Sequence, residues 1–261
     1  MNNNIDVQIH VSDVVYLGGN GQWDWRQSHA AGPYWRIYWN REPGAFIKTI
    51  DGENQLTPDK ILLMAPGTEY ATRTVNAVQH FYVHFSVSEP FSEVSPGLLS
   101  LPCRELIDMA AGLADDIKKS NDSYMFPLKL QVYLLTALQK IPAEIVPRPN
   151  RYEPRIARVL QLLDAYPTLK NPELAAAVNM STNSFLDLFR RETGETPQNY
   201  SRRKRLDDAA KMLHFGSATI DDIAGACGFC DRYHFSRAFK AEYGLPPAAY
   251  RQQAQHLLSN A

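Results

Sequence analysis

The first half of the chain alternates short apolar runs with turn residues, a pattern typical of β-strands. Between residues 34 and 87 the runs are rich in aromatic and β-branched side chains and are separated by Pro, Gly and Asp. The runs predicted as strands are 34–40, 45–50, 54–57, 61–64 and 77–87. Short strands at such close spacing predict a β-sandwich or a small barrel.

From about residue 103 the apolar positions recur with the period of a helix. A first helix is predicted over 104–119, with a stripe of Leu106, Met109, Ala110, Leu113 and Ile117. A second, over 128–141, is apolar around much of its circumference, so we expect it to pack on two sides. A dimer partner and the preceding β-domain are alternative occupants of the second side.

A proline-rich segment interrupts both patterns. Residues 141–154 contain four prolines and read as a stiff, partly extended linker. Beyond it every pattern is helical. We therefore predict a β-rich domain over 1–141, a linker over 142–154 and a helical domain over 155–261.

The helical domain contains an internal repeat. "FLDLFRRETGETPQNY" (185–200) returns as "FSRAFKAEYGLPPAAY" (235–250), at an offset of 50 residues. In each copy the repeated stretch begins inside a longer helix that follows a short helix and a tight turn. These three elements together predict a helix-turn-helix. Ser181 and Asp231 are expected to cap the longer helices, and Asn179 and Gly228 to occupy the turns. Asn171 and Thr219 are the expected caps of the short helices.

The longer helix of such a unit enters the DNA major groove with its N-terminal half. Polar, donor-rich residues suited to base edges and phosphates are left on its outer face. In the first copy they are Thr182, Asn183, Ser184, Asp187 and Arg190, and in the second Arg232, Tyr233, His234, Ser236, Arg237 and Lys240. An ordinary α-hairpin used twice in a bundle is the alternative.

Between the copies a predicted helix carries four consecutive basic residues, 202–205. A basic run of this kind is usually a solvated helix face. Beside two candidate reading helices, phosphate contact by Arg202, Arg203 and Arg205 is the better prediction. A rigid helix between the copies would place them about one helical turn of DNA apart, and two units read more bases than one.

Charge is distributed unevenly along a chain whose net charge is −1. Residues 1–150 have 12 Lys/Arg against 16 Asp/Glu, whereas residues 151–261 have 15 against 12. The difference indicates two domains with different partners. No signal peptide or membrane span is recognisable, and three cysteines do not make a disulfide framework, so a cytoplasmic protein without a membrane partner is expected.

Residues 155–251 resemble the DNA-binding domain of AraC/XylS-type transcriptional regulators. The stretch "IDDIAGACGFCDRYHFSRAFKAEYGLPPAAYR" (220–251) follows the signature of that family closely. The resemblance implies an α+β chain of two domains: an N-terminal cupin-like β-barrel followed by two helices, then an all-α domain with two helix-turn-helix motifs joined by a linker helix. It also implies a homodimer that binds double-stranded DNA, contacts RNA polymerase and responds to a small effector. Leu186 and Asp187 depart from the residues that family members often carry.

In sugar-responsive members of the family, an arginine after the first long strand and a histidine and an aromatic residue on the last strand line the effector pocket. The matching positions are Arg41, His80 and Tyr82. Strand alternation adds His84 to the face of His80 and Tyr82. Trp35, Tyr38 and Trp39 offer further aromatic surface, and a sugar is the expected effector. A protein partner and a non-sugar metabolite remain alternatives for this domain.

A metal site and an enzymatic function are disfavoured. Cys227, Cys230 and His234 resemble half a zinc site, but structural zinc needs four ligands and no nearby pair completes the set. Metal-binding cupin enzymes use a His-x-His pair that "APGTEYATRT" (65–74) lacks. We therefore predict no metal, no cofactor and no catalytic residues, with a cupin enzyme as the weaker alternative.

Overall fold

The computed structural model describes residues 7–17, 28–29, 32–119, 124–147 and 152–252. The chain divides into two compact units, one that ends at Pro147 and one that comprises Arg148–Gln252. The first unit is built mainly from β-strands and the second from helices. This division follows the change of pattern at the proline-rich segment.

Two antiparallel sheets form the first unit. Its strands are β1 (Ile9–Leu17), β2 (Ser28–His29), β3 (Trp35–Asn40), β4 (Ala45–Thr49), β5 (Gly52–Leu56), β6 (Ile61–Met64), β7 (Tyr70–Thr74), β8 (His80–Val87) and β9 (Leu98–Leu101). One sheet has the order β1-β8-β3-β6-β9 and the other the order β2-β7-β4-β5. Within the described residues the two sheets do not join into a closed barrel, but their arrangement is compatible with a cupin-like fold.

The two faces of the five-stranded sheet have different neighbours, because successive side chains of a strand point to opposite faces. One face packs against the four-stranded sheet around Tyr38, Leu62, Tyr82, Ile47 and Leu56. The other packs against two helices, α1 (Arg104–Lys118) and α2 (Phe126–Gln139). Its buried side chains include Trp35, Ile37, Trp39, Phe81, Val83 and Phe85.

Helix α2 is apolar on two sides, as its sequence predicts. Leu130, Tyr133, Leu134, Ala137 and Leu138 are buried in the first unit's core. A second stripe is exposed at Leu128, Val132 and Leu135, which lie at helical spacing. Within the described residues this stripe is not covered.

The second unit consists of short helices whose apolar faces meet in its interior. They are α3 (Pro154–Ala165), α4 (Asn171–Ala177), α5 (Thr182–Thr193), α6 (Pro197–Phe215), α7 (Ile220–Ala226) and α8 (Arg232–Tyr243), and residues 247–252 are again helical. The apolar pattern of the sequence predicts helices over 155–166, 172–178, 182–192, 197–213, 219–226, 231–243 and from 247, and each agrees with an observed helix to within two residues at the ends.

The predicted fold class is confirmed: a β-rich unit with two following helices precedes a helical unit with two helix-turn-helix motifs. The predicted strands all form: 61–64 has the predicted ends, β5 begins two residues early and ends one early, and the other three are shorter. Strands β1, β2, β7 and β9 were not predicted, and β1 shifts its register against β8 between Val11 and Asp13. The expected cap at Asn171 was wrong, because α4 already includes that residue and the Glu173 carboxylate accepts a 2.7 Å hydrogen bond from the Lys170 N–H.

Candidate DNA interface and effector chamber

The second helix-turn-helix motif joins α7 to α8 through a turn that needs a left-handed residue. Gly228 has φ +70°, and a Cβ atom there would lie 2.9 Å from Cγ2 of Thr168. The Thr219 side chain accepts from the Asp222 N–H at the start of α7. The Asp231 carboxylate accepts a 2.7 Å hydrogen bond from the His234 N–H and caps α8. The predicted caps and turn of this copy are confirmed.

The first motif repeats this geometry with different residues. Asn179 takes the turn position with φ 55°, which asparagine tolerates better than most residues do. The Ser181 hydroxyl accepts from the Ser184 N–H and caps α5. Gly194 and Gly244 end α5 and α8 in the left-handed conformation, with φ 80° and 75°.

The repeat extends further than the sixteen residues that first reveal it. At the same offset of 50, α3 falls on the C-terminal part of α6. The buried residues Ile156, Val159, Leu160 and Leu163 of α3 match Leu206, Ala209, Ala210 and Leu213 of α6. Each repeat is therefore a unit of three helices, α3-α4-α5 and α6-α7-α8, and we call these the first and second three-helix units.

The outer face of α8 is exposed over most of its length. Arg232, Tyr233, His234, Arg237 and Lys240 are exposed, Tyr233 to 80 %, and Ser236 is half-buried. Arg232 pairs with Asp221 at 3.2 Å, and the His234 ring lies 5.7 Å from that of Phe229. The predicted residues of this copy thus share one accessible face, with Arg237 and Lys240 at its centre.

The outer face of α5 is less basic. Asn183, Ser184, Asp187 and Arg190 are exposed and Thr182 is half-buried. The Ser181 hydroxyl donates to that of Ser184 at 2.9 Å. Leu186, one of the two departures from the family pattern, packs against the apolar core of the first three-helix unit. Asp187, the other departure, remains accessible.

Inside the β-rich unit, polar residues of β3 and β8 face one another in cross-strand pairs. The pairs are Arg36 with His84, Tyr38 with Tyr82 and Asn40 with His80. All six side chains are buried, and they point towards the four-stranded sheet. We call this group, together with Tyr34 and Tyr70, the inner polar cluster.

Hydrogen bonds connect the members of the inner polar cluster. His80 Nδ1 lies 2.5 Å from Oδ1 of Asn40, and the Tyr82 hydroxyl donates to Asp13 at 3.1 Å. Tyr38 Oη lies 3.4 Å from Oη of Tyr70. The Arg36 guanidinium lies 4.2 Å from the Tyr34 ring centroid and 5.2 Å from that of Tyr70. Nδ2 of Asn40 is buried and has no hydrogen-bond partner in the described part of the chain.

Burial keeps His80, Tyr38 and Tyr82 uncharged. It lowers the pKa of His80 well below its ordinary value, so the imidazole is neutral at pH 7. It raises the pKa of the Tyr38 and Tyr82 hydroxyls. Burial also raises the pKa of Asp13, against the hydrogen bond from Tyr82. The cluster therefore offers mainly neutral donors, acceptors and ring faces, with Arg36 as its cation.

Of the predicted effector residues, the structure brings together Tyr38, His80, Tyr82 and His84. Trp35 and Trp39 lie on the opposite face of β3 against the helices, so their placement beside the pocket was wrong. Arg41 was also misplaced, because Nη2 binds Oδ1 of Asp115 at 2.6 Å and the Ala111 carbonyl at 3.2 Å on α1. Arg36 and Asn40 were missed, although alternation along β3 places them on the same face as Tyr38.

A protein-family model described as a helix-turn-helix domain matches residues 174–253. The activator RhaR of Pectobacterium carotovorum (strain PC1) is 39% identical over 75 residues, which are 29% of this chain and 26% of that protein. The regulator GbdR of Pseudomonas aeruginosa PAO1 is 30% identical over 118 residues, 44% of this chain and 31% of that protein. This chain thus spans about a quarter to a third of the length of these curated relatives.

Residues 174–253 form a helix-turn-helix domain. The crystal structure of ToxT from Vibrio cholerae O395 superimposes with a TM-score of 0.58 at 14% identity, over 95% of this chain and 98% of that one. That likeness extends the shared two-domain fold to the β-rich unit. These relatives are named as transcriptional activators or regulators, and none of them is named as an enzyme.

The helix-turn-helix domain uses most of its basic run for internal contacts. Arg203 pairs with Glu195 at 2.9 Å and Lys204 with Asp164 at 3.1 Å. Nη1 of Arg205 donates to the Gly228 carbonyl at 2.8 Å. Arg202 is exposed and has no ion pair within the residues that the structure describes. Of the predicted phosphate-contacting residues, Arg203 and Arg205 thus also make contacts inside the domain, Arg202 does not within the described residues, and phosphate contact by the three stays a prediction.

The two cysteines of the helix-turn-helix domain differ in exposure and in neighbours. Cys227 is buried, and burial raises the pKa of its thiol to about 11. Cys230 is exposed and lies 3.5 Å from Nδ1 of His234. In the described chain no three His, Cys, Asp or Glu residues cluster as a metal site would require. Among its described helices, none has both the length and the hydrophobicity that crossing a bilayer needs.

Proposed function

We propose that this protein is a sequence-specific DNA-binding transcriptional regulator that responds to a small effector. The observation that carries the proposal is the repeated three-helix unit, which presents an exposed, donor-rich helix at the same position in each copy. Two such helices on one domain can read two successive segments of major groove. One unit alone would contact too few base pairs to be selective.

In this proposal α8 supplies the stronger readout. Arg237 and Lys240 are exposed cations beside the half-buried Ser236, and Tyr233 projects from the first turn. Arginine can bind guanine O6 and N7 with two hydrogen bonds, whereas lysine contacts phosphate or guanine as a point charge. Arg232 and His234 flank this group at the N-terminus of the helix.

Helix α5 supplies a different kind of contact. Asp187 is an acceptor and suits the N4 amino group of cytosine, but it repels phosphate. Thr182, Asn183, Ser184 and Arg190 complete this face, and Arg202 contacts the backbone from α6. The two helices therefore read different base sequences, because their outer faces differ in both charge and hydrogen-bonding groups.

The inner polar cluster is the proposed effector site. Neutral imidazole, amide and phenol groups can exchange hydrogen bonds with sugar hydroxyls, and tyrosine rings can stack on the C–H face of a pyranose. Arg36 can add a bond to a hydroxyl or to an acid group. A sugar, neutral or acidic, is accordingly the proposed effector. Binding there would change how the DNA-binding domains of a homodimer are presented to operator half-sites.

The exposed stripe of α2, Leu128, Val132 and Leu135, supports the homodimer in this proposal. Contiguous apolar surface of this kind is characteristic of an interface. An activator also requires contact with RNA polymerase, which we include as a proposed partner. Analytical ultracentrifugation of the full chain and of Val132→Glu tests the dimer; a monomer in both samples would contradict it.

The DNA-binding proposal is tested with Arg237→Ala on a duplex selected from a random-sequence library by the unmodified protein. Loss of a bidentate base contact is expected to cost about 1–3 kcal/mol and to relax the preference at one base pair. Arg104→Ala, an equally exposed arginine on α1, is the control. Unchanged affinity for Arg237→Ala at every salt concentration would remove α8 from the reading surface.

A thermal-shift screen of the full chain tests the effector. Mono- and disaccharides are compared with uronic acids and with amino acids, and any stabilising compound is repeated on Asn40→Ala and on Trp35→Phe. A sugar that binds the inner polar cluster raises Tm in Trp35→Phe but not in Asn40→Ala. Stabilisation only by compounds of another chemical class would reject the sugar, and stabilisation that survives in Asn40→Ala would reject the site.

A further inference from the structure

A partly buried hydrogen bond connects the second recognition helix to the helix that links the two copies. The Tyr243 hydroxyl, at the C-terminal end of α8, donates to Oδ1 of Asp207 on α6 at 2.6 Å. The Tyr243 ring packs against Phe239 and Tyr250, with centroids 4.6 and 5.5 Å away. The ring therefore belongs to the aromatic core while its hydroxyl reaches the linker helix.

Asp207 depends on this hydrogen bond. Burial raises the pKa of Asp207, and the nearby Arg203, Lys204 and Lys211 oppose that shift only in part. Each of these three cations forms its closest ion pair with a different carboxylate, namely Glu195, Asp164 and Asp208. Removing the only hydroxyl that bonds this carboxylate in the described chain would leave a buried acceptor unsatisfied, which is costly.

Helix α6 also holds the other end of α8. Nη1 of Arg205 donates to the Gly228 carbonyl at 2.8 Å, and its guanidinium lies 4.7 Å from the Phe229 ring centroid. This contact fixes the turn that precedes α8. Residues two apart on a helix point to different sides, so Arg205 and Asp207 hold the second motif at two separate points.

The first three-helix unit has neither contact. At an offset of 50 residues the counterparts of Arg205, Asp207 and Tyr243 are Arg155, Ala157 and Thr193. Arg155 pairs with Glu153 at 2.8 Å, and the side chain of Ala157 cannot accept a hydrogen bond. The Thr193 hydroxyl donates to the Phe189 carbonyl of its own helix at 2.8 Å. The C-terminal end of α5 is instead tied to the start of α3, where the Glu192 carboxylate accepts a 3.1 Å hydrogen bond from the Glu153 N–H. Within the described residues α5 thus has a polar anchor at its C-terminal end, whereas α8 is anchored both there and at the turn that precedes it.

We infer that Asp207 and Tyr243 are positioning residues that fix the orientation of α8 on α6 for base readout, whereas α5, which lacks the anchor at its turn, adjusts more readily to its DNA segment. The inference rests on the proposed function as a DNA-binding regulator. A bidentate base contact tolerates little displacement, so a recognition helix held at both ends reads its bases stringently. A helix with a polar anchor at one end alone accommodates more sequences at a smaller cost.

The test uses the full chain and the duplex that the unmodified protein selects from a random-sequence library. Affinity and base-by-base protection are measured for Tyr243→Phe, which keeps the ring and removes the hydroxyl. Asp207→Ala removes the acceptor, and Asp207→Asn keeps a carbonyl acceptor. Thr193→Val is the matched control in the first three-helix unit. Binding to an unrelated duplex of the same length measures non-specific affinity.

We expect Tyr243→Phe and Asp207→Ala to lose about tenfold in affinity for the selected duplex, the worth of one hydrogen bond to a charged group. The loss maps to the base pairs under α8, with protection under α5 and non-specific affinity retained. Asp207→Asn restores affinity to within about twofold, and Thr193→Val leaves it unchanged.

Two results would overturn the inference. Tyr243→Phe could bind with full affinity and stringency, which would show that the hydroxyl does not position α8. Alternatively, affinity could fall equally for both operator segments and for the unrelated duplex while Tm drops, which would show a role in folding alone. If the unmodified protein selects no sequence, the proposed function fails instead, and that outcome is distinct because it precedes any variant.

Discussion

The first and second three-helix units bury the same positions with side chains of different size. They also hold their recognition helices in place with different contacts. Where α3 has Val159 and Leu160, α6 has Ala209 and Ala210. Where α5 ends in Thr193, α8 ends in Tyr243, which bonds to Asp207. A duplicated scaffold can thus carry two recognition helices with unequal freedom, because the apolar pattern sets the fold and a few polar contacts set the rigidity.

The strongest test of the shared scaffold is removal of the aromatic core of each unit. Phe189 packs on Phe185 and Tyr200, and Phe239 packs on Phe235, Tyr243 and Tyr250. Phe189→Ala and Phe239→Ala are each expected to lower the free energy of unfolding by about 3–5 kcal/mol, from the lost burial and the cavity left behind. Denaturant titration measures both. A loss below about 1 kcal/mol for either would show that its unit does not share the common core.

The turns of the two motifs should respond unequally to substitution. Gly228→Ala places a Cβ atom 2.9 Å from Thr168 at φ +70°, so a loss of about 1–3 kcal/mol is expected. Asn179→Gly, at φ 55°, should change stability by less than about 0.5 kcal/mol, since both residues tolerate this conformation.

Gly225 provides the matched control for the turn substitution. It lies in α7, and a Cβ atom there would meet nothing within 4 Å. Gly225→Ala should therefore stabilise the protein by about 0.5–1 kcal/mol, because alanine favours a helix more than glycine does. If Gly228→Ala were equally harmless, the left-handed turn would not be what distinguishes the two motifs.

Local patterns predicted most of the C-terminal domain, since caps, left-handed turns and apolar stripes depend on neighbours in the sequence. The basic run shows where such patterns stop. The carboxylates of Glu195 and Asp164 that engage Arg203 and Lys204 come from other elements. Four adjacent cations therefore resemble a phosphate-binding face in sequence, although the folded domain uses three of them internally.

In the β-rich unit, alternation correctly placed His80, Tyr82 and His84 on one face of β8. The same rule, applied to β3, would have selected Arg36 and Asn40 and rejected Trp35 and Trp39. Arg41 lies just beyond the strand, where alternation no longer fixes its direction, and the partner on α1 decides it. The bulge in β1 near Asp13 depends on its pairing with β8, which local sequence does not specify.

The smallest expected effect is a dependence of the free energy of unfolding on pH. It concerns the second three-helix unit alone, because the first has alanine at the position of Asp207. Because burial raises the pKa of Asp207 above its ordinary value, the protonated carboxyl is favoured in the folded state. Its contribution to stability is fully present below the unfolded pKa and is lost as pH rises through the folded pKa. The carboxyl faces Tyr243, Arg203, Lys204 and Lys211.

Asp207→Asn removes this titration and keeps a hydrogen-bond acceptor for Tyr243. The free energy of unfolding of the unmodified protein, relative to Asp207→Asn, should therefore decline as pH rises from acid towards neutral. Urea titrations of both proteins across that range measure the difference, and Asp208→Asn, an exposed neighbour, controls for the change in net charge. Parallel pH profiles for Asp207→Asn and the unmodified protein would mean that the hydrogen bond from Tyr243 and the nearby cations offset the effect of burial on the pKa of Asp207 completely, and the two three-helix units would then not differ in this pH dependence.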